Sequence, residues 1–340
     1  MIEFTAKKPL KKVRAVGLIS GGLDSTIAAK VVVDLGVEVT GLYFSMPWGC
    51  CDKHKAQAAA DFLGIPLIVL QLDESYLEMV KKPKYGYGSV MNPCVDCRSH
   101  MFRRAAQYMQ ATDADFIFTG EVLGQRPMSQ MRHSMSAIEN EAGIEGRLLR
   151  PLCAKLMEPT IPEKEGLIDR AKLLAISGRS RRGQIDLAEK HNFKDYPNPA
   201  GGCLLTDKNF ANRLKDVFKY GYRNFHETVA LKWGRHFRLN EHFKAAVGRN
   251  EGENNSLILY AHPDDHILAM LDHPGPSVVL KGINPSPEIL ALAAGLSQKF
   301  SRFNNDAPLE LSCWPAKDKN AVQKIKARIP NDEEIKRMKI

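Results

Sequence analysis

A glycine-rich turn near the N-terminus constrains the fold more than any other feature of this 340-residue chain. It reads Ser20-Gly21-Gly22-Leu23-Asp24-Ser25. The turn follows a short apolar, β-rich run at residues 13–19 and precedes a helical pattern at 26–35 that stops at Gly36. Glycines let the backbone approach an anion closely, and the free N–H groups at a helix N-terminus face negative charge. The sequence therefore predicts an anion site between a buried strand and a helix.

Strands and helices alternate through the first 120 residues. Further strands are predicted at 37–44, 66–70 and 115–119, and further helices at 53–63 and 97–109. Alternation of this kind implies a parallel, doubly wound α/β sheet. Prolines interrupt the pattern after Arg150. We therefore assign residues 1–208 to one catalytic domain, whose helical part covers about 151–208.

The remaining residues, 209–340, differ in character and are predicted to form a C-terminal α+β domain. Strand-like runs cover 228–233, 243–247, 256–260 and 277–280, and a helical pattern covers 287–303. Short apolar runs bounded by turn residues are typical of strands, whereas a longer periodic run is typical of a helix. We expect this domain to bind RNA, for reasons given below.

The bulk composition excludes several classes of protein. A hydrophobic content of 44% and a charged content of 26% are ordinary for a globular chain. No run of about 18 apolar residues is present, so we expect neither a membrane span nor a membrane partner. The N-terminus lacks the apolar stretch of a signal peptide, so we expect a cytoplasmic location with the seven cysteines reduced. The net charge of +9 favours a polyanionic partner.

Asp24 is the most informative residue of the glycine-rich turn. A carboxylate beside phosphates is repulsive unless a divalent cation lies between them, so Asp24 indicates Mg²⁺. The turn lacks the Gly-Lys-[Ser/Thr] ending of a Walker A loop, and it does not fit the dinucleotide-binding fingerprint. The predicted site is therefore a phosphate loop of another kind.

In this setting the turn resembles the signature of the PP-loop ATP pyrophosphatases, an adenine nucleotide alpha hydrolase-like group. These enzymes adenylate a carbonyl oxygen and release pyrophosphate. The resemblance implies ATP as cosubstrate, with its pyrophosphate portion held by Ser20, Gly21, Gly22, Asp24 and Ser25. It also implies adenine contacts at two strand ends, from Phe44, Ser45, Thr119 and Gly120. The tRNA-thiolating relatives often have a histidine after that last glycine, where this chain has Glu121.

Cys94 and Cys97 form a Cys-x-x-Cys pair before a predicted helix, and Cys203 follows two glycines much later in the chain. The pair alone fits a redox site, half of a zinc site, or ligands of an iron–sulfur cluster. No thioredoxin-like sequence context surrounds it. For Cys50, Cys51, Cys153 and Cys313 we favour the ordinary role of a small buried side chain. Cys50 and Cys51 nevertheless follow the second strand closely, near the predicted ATP site.

The Asn-Pro-x-x-x-Cys segment and the distant second cysteine resemble the tRNA 2-thiouridine synthetases, in which one cysteine carries a persulfide. Cys94 is an extra cysteine relative to that pattern. Two close cysteines and one distant cysteine are similar to the thiolases that bind a [4Fe-4S] cluster and leave one iron open. The resemblance implies Asp24, Cys94, Cys97 and Cys203 as catalytic residues, with the three cysteines as metal ligands. Ligand count favours the cluster over a persulfide pair, and structural zinc would want a fourth ligand.

Basic residues around these motifs are candidates for contacts with tRNA phosphates. They are Arg98, Arg103, Arg104, Arg132, Arg179, Arg181 and Arg182 in the first domain, with Lys232 and Arg235 in the second. The run 232–238 interleaves basic and aromatic side chains, which can offer charge and stacking to unpaired bases. The segment 272–280 resembles the RNA-binding module of the NFACT family.

Together these features predict an ATP-dependent tRNA uridine thiolase. ATP adenylates a uracil carbonyl at C2 or C4, and sulfur held by the cysteines then displaces AMP. The expected partners are tRNA and a sulfur donor, either a persulfide carrier or free sulfide, and a homodimer is not excluded. Two alternatives stay open: a PP-loop enzyme acting on a small molecule, as an amidotransferase or in cofactor sulfur insertion, and a non-catalytic, nucleotide-dependent RNA-binding protein.

Overall fold

The computed structural model describes residues 12–46, 48–49, 53–194, 196, 203–222, 224–270, 273–304 and 307–340. The chain divides into two compact units, Met1–Cys203 and Leu204–Ile340. The sequence placed this boundary between residues 208 and 209. Within the described residues, no helix combines the length and apolar character that crossing a membrane requires.

The first unit is built on a five-stranded parallel sheet. Its strands are β1 Arg14–Leu18, β2 Glu38–Ser45, β3 Leu67–Gln71, β4 Phe116–Thr119 and β5 Leu148–Leu149. They lie in the order β3-β2-β1-β4-β5, and every neighbouring pair is parallel. The chain moves outward from β1 in both directions, so the order reverses between β1 and β4. This confirms the doubly wound α/β prediction and places a ligand crevice at the carboxyl ends of these two strands.

Helices cover the parallel sheet. They are α1 Leu23–Asp34, α2 Lys53–Leu63, α3 Glu74–Lys81, α4 Cys94–Ala111, α5 Arg132–Ala142, α6 Ile161–Lys164 and α7 Arg182–Lys190. One apolar cluster joins Ala15 and Phe118 of the sheet to Ala59 of α2. Another joins Ile27 of α1 to Ala188 of α7. Burial on both faces explains why the strands read as short apolar runs rather than as alternating ones.

The second unit contains a six-stranded antiparallel sheet. Its strands are β6 Arg235–Arg238, β7 Lys244–Val247, β8 His266–Ala269, β9 Val278–Lys281, β10 Glu310–Pro315 and β11 Gln323–Lys326. Its helices are α8 Lys208–Tyr220, α9 Glu251–Leu259, α10 Pro287–Lys299 and α11 Asp332–Met338. The strand order is β11-β10-β8-β9-β7-β6, and every pair is antiparallel. Apolar residues of α10 pack with this sheet in one core, which confirms the α+β prediction.

Two predicted strands of the second unit are wrong. Residues 225–232 form a 3₁₀ helix, and α9 replaces the strand predicted at 256–260. In both cases an asparagine caps the helix, because Asn224 accepts a hydrogen bond from the Glu227 amide and Asn250 accepts one from the Glu253 amide. The capping asparagines precede the apolar runs. The apolar residues alone therefore predicted strands where the structure has helices.

One boundary in the first unit matters for the chemistry. Helix α4 begins at Cys94, three residues before the predicted start at residue 97. Cys94 and Cys97 therefore lie on one helical face, both within the first turn. The sequence had placed Cys94 in a loop ahead of the helix.

Candidate active site

The glycine-rich turn is held by hydrogen bonds among its own serines. The Ser20 amide donates to the Ser25 hydroxyl oxygen at 3.2 Å, and the two hydroxyl oxygens lie 3.1 Å apart. Gly22 is the N-cap of α1, and no side chain caps the helix there. The first amides of α1 are thus free of a side-chain acceptor and can face phosphate.

Two glycines of this crevice are required by close backbone approach. Gly21 has φ +75°, and a Cβ at this position would lie 2.5 Å from the backbone of Lys55 and Ala56 in α2. A Cβ on Gly120 would lie 2.5 Å from the backbone of Asp24 and Ser25. No side chain fits at either distance, because backbone atoms cannot move aside as a flexible side chain can. The end of β4 therefore packs directly against the start of α1.

Asp24 has partners that the sequence did not suggest. The Gln125 side-chain amide donates to Asp24 Oδ2 at 2.8 Å, and Gln184 donates to Gln125 Oε1 at 3.2 Å. Arg181 Nε lies 3.9 Å from Asp24 Oδ1. Among the described residues, that second carboxylate oxygen is buried and accepts no hydrogen bond. A buried carboxylate oxygen of this kind suits a hard cation such as Mg²⁺.

The residues expected to contact adenine lie at the same edge of the sheet. Phe44 and Ser45 end β2, and Thr119 ends β4. Since β1 lies between these strands, the two sets flank the glycine-rich turn on either side. Phe44 and Thr119 are buried. Their assignment to adenine stays a prediction.

Glu121, whose role the sequence left open, belongs to a buried ion-pair cluster. Arg150 Nε donates to Glu121 Oε2 at 3.1 Å, and its Nη1 donates to Glu139. Arg98 Nη1 lies 3.7 Å from Glu121 Oε1. Burial opposes the charge of Arg150, but the two carboxylates outweigh it and hold its pKa above the ordinary value. This cluster connects the strand end at Gly120 to the residue that follows Cys97.

The first turn of α4 surrounds its two cysteines with polar side chains. The buried Asn92 side-chain amide donates to Cys94 Sγ at 3.1 Å. The hydroxyl of Tyr76 lies 3.5 Å from Cys97 Sγ. Asp96 accepts backbone hydrogen bonds from Lys84 and Tyr85, at 2.8 and 3.1 Å, and so fixes the preceding loop on the helix. The two thiols are thus held in defined positions in the first turn of the helix.

The third predicted sulfur ligand is not assembled with this pair. Among the described residues, no group of three or more His, Cys, Asp or Glu side chains could hold a metal ion. Cys203 is partly exposed, and residues 197–202 before it lie outside the described part. Cys94, Cys97 and Cys203 thus do not form a three-ligand group among the described residues. The [4Fe-4S] cluster therefore stays a prediction.

The remaining cysteines behave in different ways. Cys153 and Cys313 are fully buried, which confirms their predicted role as small core side chains. Burial raises the pKa of Cys153 and raises that of Cys313 to about 11, so both are held as thiols. Cys50 and Cys51 lie outside the described residues.

Several arginines predicted to contact RNA have partners inside the first unit. Arg103 donates to the Glu141 carbonyl and Arg132 to the Leu156 carbonyl, both at 2.8 Å. Arg104 lies 3.7 Å from Asp73. Like Arg98 and Arg181, these side chains contribute to the structure itself. Arg103, Arg132, Arg179 and Arg182 are nevertheless exposed to solvent, the last two just before and at the start of α7.

The basic and aromatic run of the second unit packs largely on its own protein. The Trp233 ring stacks on Tyr260 with centroids 5.4 Å apart, and Lys232 lies over Trp233 at 5.9 Å. Arg235 lies 4.8 Å over the ring of Phe300. Burial lowers the pKa of Lys232. RNA contacts of Lys232 and Arg235 stay predictions. The rings beside these two cations, Trp233 and Phe300, already contact side chains of the same unit.

Sequence reasoning missed Tyr76, Gln125, Gln184 and Arg150, and it noted Asn92 only as part of the Asn-Pro-x-x-x-Cys segment. The four missed residues act through contacts with other residues of the site rather than through a motif of their own. Gln125 and Asp24, for example, are 101 residues apart in the chain. The sequence offered one indication of the buried ion-pair cluster. Glu121 occupies a position at which a histidine was expected, and it lies in that cluster.

Each of the two units matches a family of known proteins. Residues 12–138 match the family described as tRNA methyl transferase HUP domain, and residues 234–338 match the NFACT protein RNA binding domain. A tRNA-specific 2-thiouridylase MnmA of Sulfurimonas denitrificans is 41% identical over 113 residues, which are 31% of this chain and 33% of that protein. The protein of the same name from Marinobacter nauticus is 25% identical over 269 residues, or 74% and 65% of the two chains.

Among solved structures, a 4-thiouridine synthetase–RNA complex with bound ATP is similar with a TM-score of 0.40 and 19% identity. The match covers 60% of this chain and 50% of that one. The chain spans less than two thirds of the length of both thiouridylases. The parallel sheet, the glycine-rich turn and the match to the HUP domain family agree in describing the first unit as a PP-loop-like fold. In sequence the chain is similar to tRNA thiouridylases over part of its length, and its second unit is similar to the NFACT RNA binding domain over residues 234–338.

Proposed function

We propose that this protein is an ATP-dependent tRNA uridine sulfurtransferase. One observation carries the proposal beyond sequence similarity. The cysteine-bearing turn of α4 and the phosphate loop are linked through Arg98, Glu121 and Gly120, by a 3.7 Å ion pair and a direct backbone contact. An adenylating site and a pair of thiols thus share one edge of the sheet. Sulfur transfer to an activated carbonyl needs both.

The first step activates the uracil base. A uracil carbonyl oxygen, at C2 or C4, attacks the α-phosphorus of ATP, and pyrophosphate leaves. Amides at the start of α1, with Ser20 and Ser25, would bind the pyrophosphate oxygens. Asp24 would hold Mg²⁺ through Oδ1, which accepts no hydrogen bond among the described residues, and Gln125 fixes the orientation of that carboxylate. When bound, the ion would supply positive charge against the departing pyrophosphate.

The second step replaces oxygen by sulfur. The outer sulfur of a cysteine persulfide attacks the activated carbon, and AMP leaves with the original oxygen. A second cysteine thiolate then attacks the inner sulfur, which releases the thiouridine and leaves a disulfide. A cellular thiol reductant restores the two cysteines, and one thiolate then takes the outer sulfur of a persulfide carrier, which leaves as a thiol. Free sulfide would instead attack the disulfide directly, which gives a persulfide on one cysteine and a thiol on the other. No step here passes through an iron–sulfur cluster.

The activity is tested with the purified full chain, bulk tRNA, Mg²⁺–ATP and a persulfide source. Nucleosides are analysed by mass spectrometry while AMP and pyrophosphate are counted. We expect thiouridine to form together with equal amounts of AMP and pyrophosphate, and we expect Asp24→Asn to lose all three products. AMP formation that needs no tRNA, with no thiouridine, would instead identify an enzyme acting on a small molecule.

The sulfur-bearing group is tested separately. Single Cys94→Ser, Cys97→Ser and Cys203→Ser variants are assayed alongside Cys313→Ser, a buried control in the other unit. Iron and inorganic sulfide are measured in anaerobically purified protein. Persulfide transfer predicts activity without iron and loss in two of the three variants. Stoichiometric iron and sulfide, with all three cysteines required for their retention, would establish the cluster instead.

A further inference from the structure

The second unit contains a cleft that no motif predicted. It has a volume of about 420 Å³ and lies between α8, the end of β6 and the residues at and beyond the end of α11. Its lining residues are Asn212, Lys215, Asp216, Lys219, Tyr220, Arg238, Arg337, Met338, Lys339 and Ile340. Ligand sites in proteins commonly have volumes of about 300–1,000 Å³, so the cleft is large enough for a nucleotide-sized group.

The charges of this cleft are strongly unbalanced. Five of its side chains are cationic and one, Asp216, is acidic. Asp216 is already neutralised, because Arg238 Nη2 lies 2.6 Å and Lys244 Nζ 3.2 Å from its Oδ2. Within the described part of the chain, the other four cations have no carboxylate within 4 Å. They are Lys215, Lys219, Arg337 and Lys339.

The cleft walls are held in place by the fold. The Ile340 amide donates to the His236 carbonyl at 3.0 Å, and Lys339 forms an antiparallel bridge with Phe237 of β6. The Arg238 guanidinium lies 4.4 Å over the Tyr220 ring, which is partly exposed at the end of α8. The cationic groups therefore project from regular elements rather than from a loose loop.

Like charges so close together oppose folding unless an anion compensates them. Lys215 and Lys219 are one helical turn apart on α8, a spacing at which like charges destabilise a helix. A single phosphate would compensate one or two of the four unpaired cations. A nucleic-acid strand, which carries a charge at every nucleotide, can compensate them all.

We propose that this cleft binds successive phosphates of an RNA strand and is the principal RNA contact of the second unit. The inference rests on the proposed function, which supplies tRNA as the substrate. It adds α8, which lies outside the matched segment 234–338, and it moves the expected contact away from Lys232 and Arg235. Tyr220 forms one wall of the cleft, and the Arg238 guanidinium lies over its ring.

The experiment measures binding of bulk tRNA to the full chain across a series of salt concentrations. The test variant is Lys215→Ala/Lys219→Ala. The matched control is Lys319→Ala/Lys324→Ala, which removes the same charge from exposed positions. These positions lie in or near β11, at the opposite end of the sheet from β6. Two lost phosphate contacts should weaken binding about tenfold and reduce the slope of log K against log salt by about 1.5. The control should change affinity less than about threefold, since distant surface charges are screened.

The outcomes separate this inference from the proposed function. If the unaltered chain binds no tRNA, the proposed function itself fails. If it binds tRNA but the two double variants lose affinity equally, bulk charge explains binding and the cleft does not. If Lys215→Ala/Lys219→Ala loses affinity but keeps the salt slope of the unaltered chain, the two lysines do not contact phosphates and the proposal is wrong. Inorganic phosphate that competes with tRNA at equal concentrations would identify a small-anion site instead.

Discussion

In the first unit, the guanidinium of Arg150 lies buried between Glu121 and Glu139, whereas in the second unit Asp216 lies between Arg238 and Lys244. The first cluster has an excess of carboxylate, which also attracts Arg98 beside Cys97. The second has an excess of cation, and it borders a cleft whose other basic groups are unpaired among the described residues. The first arrangement holds an arginine beside Cys97, and the second leaves positive charge available to a ligand.

The difference shows how basic residues of similar appearance in sequence acquire different roles. Arginines near the phosphate loop are engaged by the protein, with Arg181 facing Asp24 and Arg98 facing Glu121. Lysines of α8 remain exposed to solvent. An engaged guanidinium fixes geometry, while an exposed ammonium contributes mainly to long-range attraction and to phosphate contacts.

The largest expected effect comes from breaking either buried cluster. Glu121→Gln leaves Arg150 without one of its two carboxylates, and Asp216→Asn leaves Arg238 and the buried Lys244 unpaired. Asp216→Asn should lower the free energy of unfolding by about 3–5 kcal/mol, because it leaves a buried charge uncompensated. Glu121→Gln should lower it by less, because Glu139 still pairs with Arg150. Chemical denaturation measures this loss. Glu38→Gln, at an exposed pair 3.7 Å from Lys12, should cost less than about 1 kcal/mol.

These two substitutions also test whether the Arg150 cluster and the Asp216 cluster have separate roles. Glu121→Gln should impair thiolation in the folded population, since Arg98 loses its partner beside Cys97. Asp216→Asn should leave ATP-dependent AMP formation at saturating tRNA unchanged in the folded population. Equal effects of the two variants on AMP formation would contradict the separate roles assigned to the clusters.

The next effect concerns the close backbone contact in the crevice. Gly120→Ala places a Cβ against the backbone of Asp24 and Ser25, so the phosphate loop must shift. A displacement of about 1 Å in a catalytic arrangement commonly costs about a hundredfold in rate. We expect kcat for AMP formation to fall by this order. Gly183→Ala is the control, since its Cβ would meet Ile176 at an ordinary 3.4 Å.

How much of this could be predicted depends on how local each feature is. The turn Ser20–Ser25 and the helix Lys53–Leu63 could be read directly, because their signals are contiguous in sequence. The contact between Gln125 and Asp24 joins residues 101 positions apart, and only the folded sheet brings them together. The aromatic rings near Lys232 were predicted to face RNA, since composition cannot distinguish a ring packed on Tyr260 from an open one.

The pH dependence of stability distinguishes the two clusters further. Burial lowers the pKa of Lys244 to about 8, although Asp216 opposes the shift. Between pH 8 and 10.5 the unfolded chain therefore binds more protons at this residue than the folded chain, so its contribution to the free energy of unfolding rises with pH. Urea denaturation of the wild-type chain and Lys244→Met should diverge by about 2 kcal/mol across this window. Parallel curves would contradict a buried, titrating lysine.

The smallest effect separates the cleft from the basic and aromatic run. Lys232 lies over Trp233 and Arg235 over Phe300, so both cations already face rings of the same unit. We expect Lys232→Ala to weaken tRNA binding less than about threefold and to change the salt slope by less than one phosphate contact. Filter binding in the same salt series as the α8 variants measures both quantities. A tenfold loss at Lys232, with intact binding in Lys215→Ala/Lys219→Ala, would return the RNA contact to the segment 232–238 and leave the unpaired cations of the cleft without a role in RNA binding.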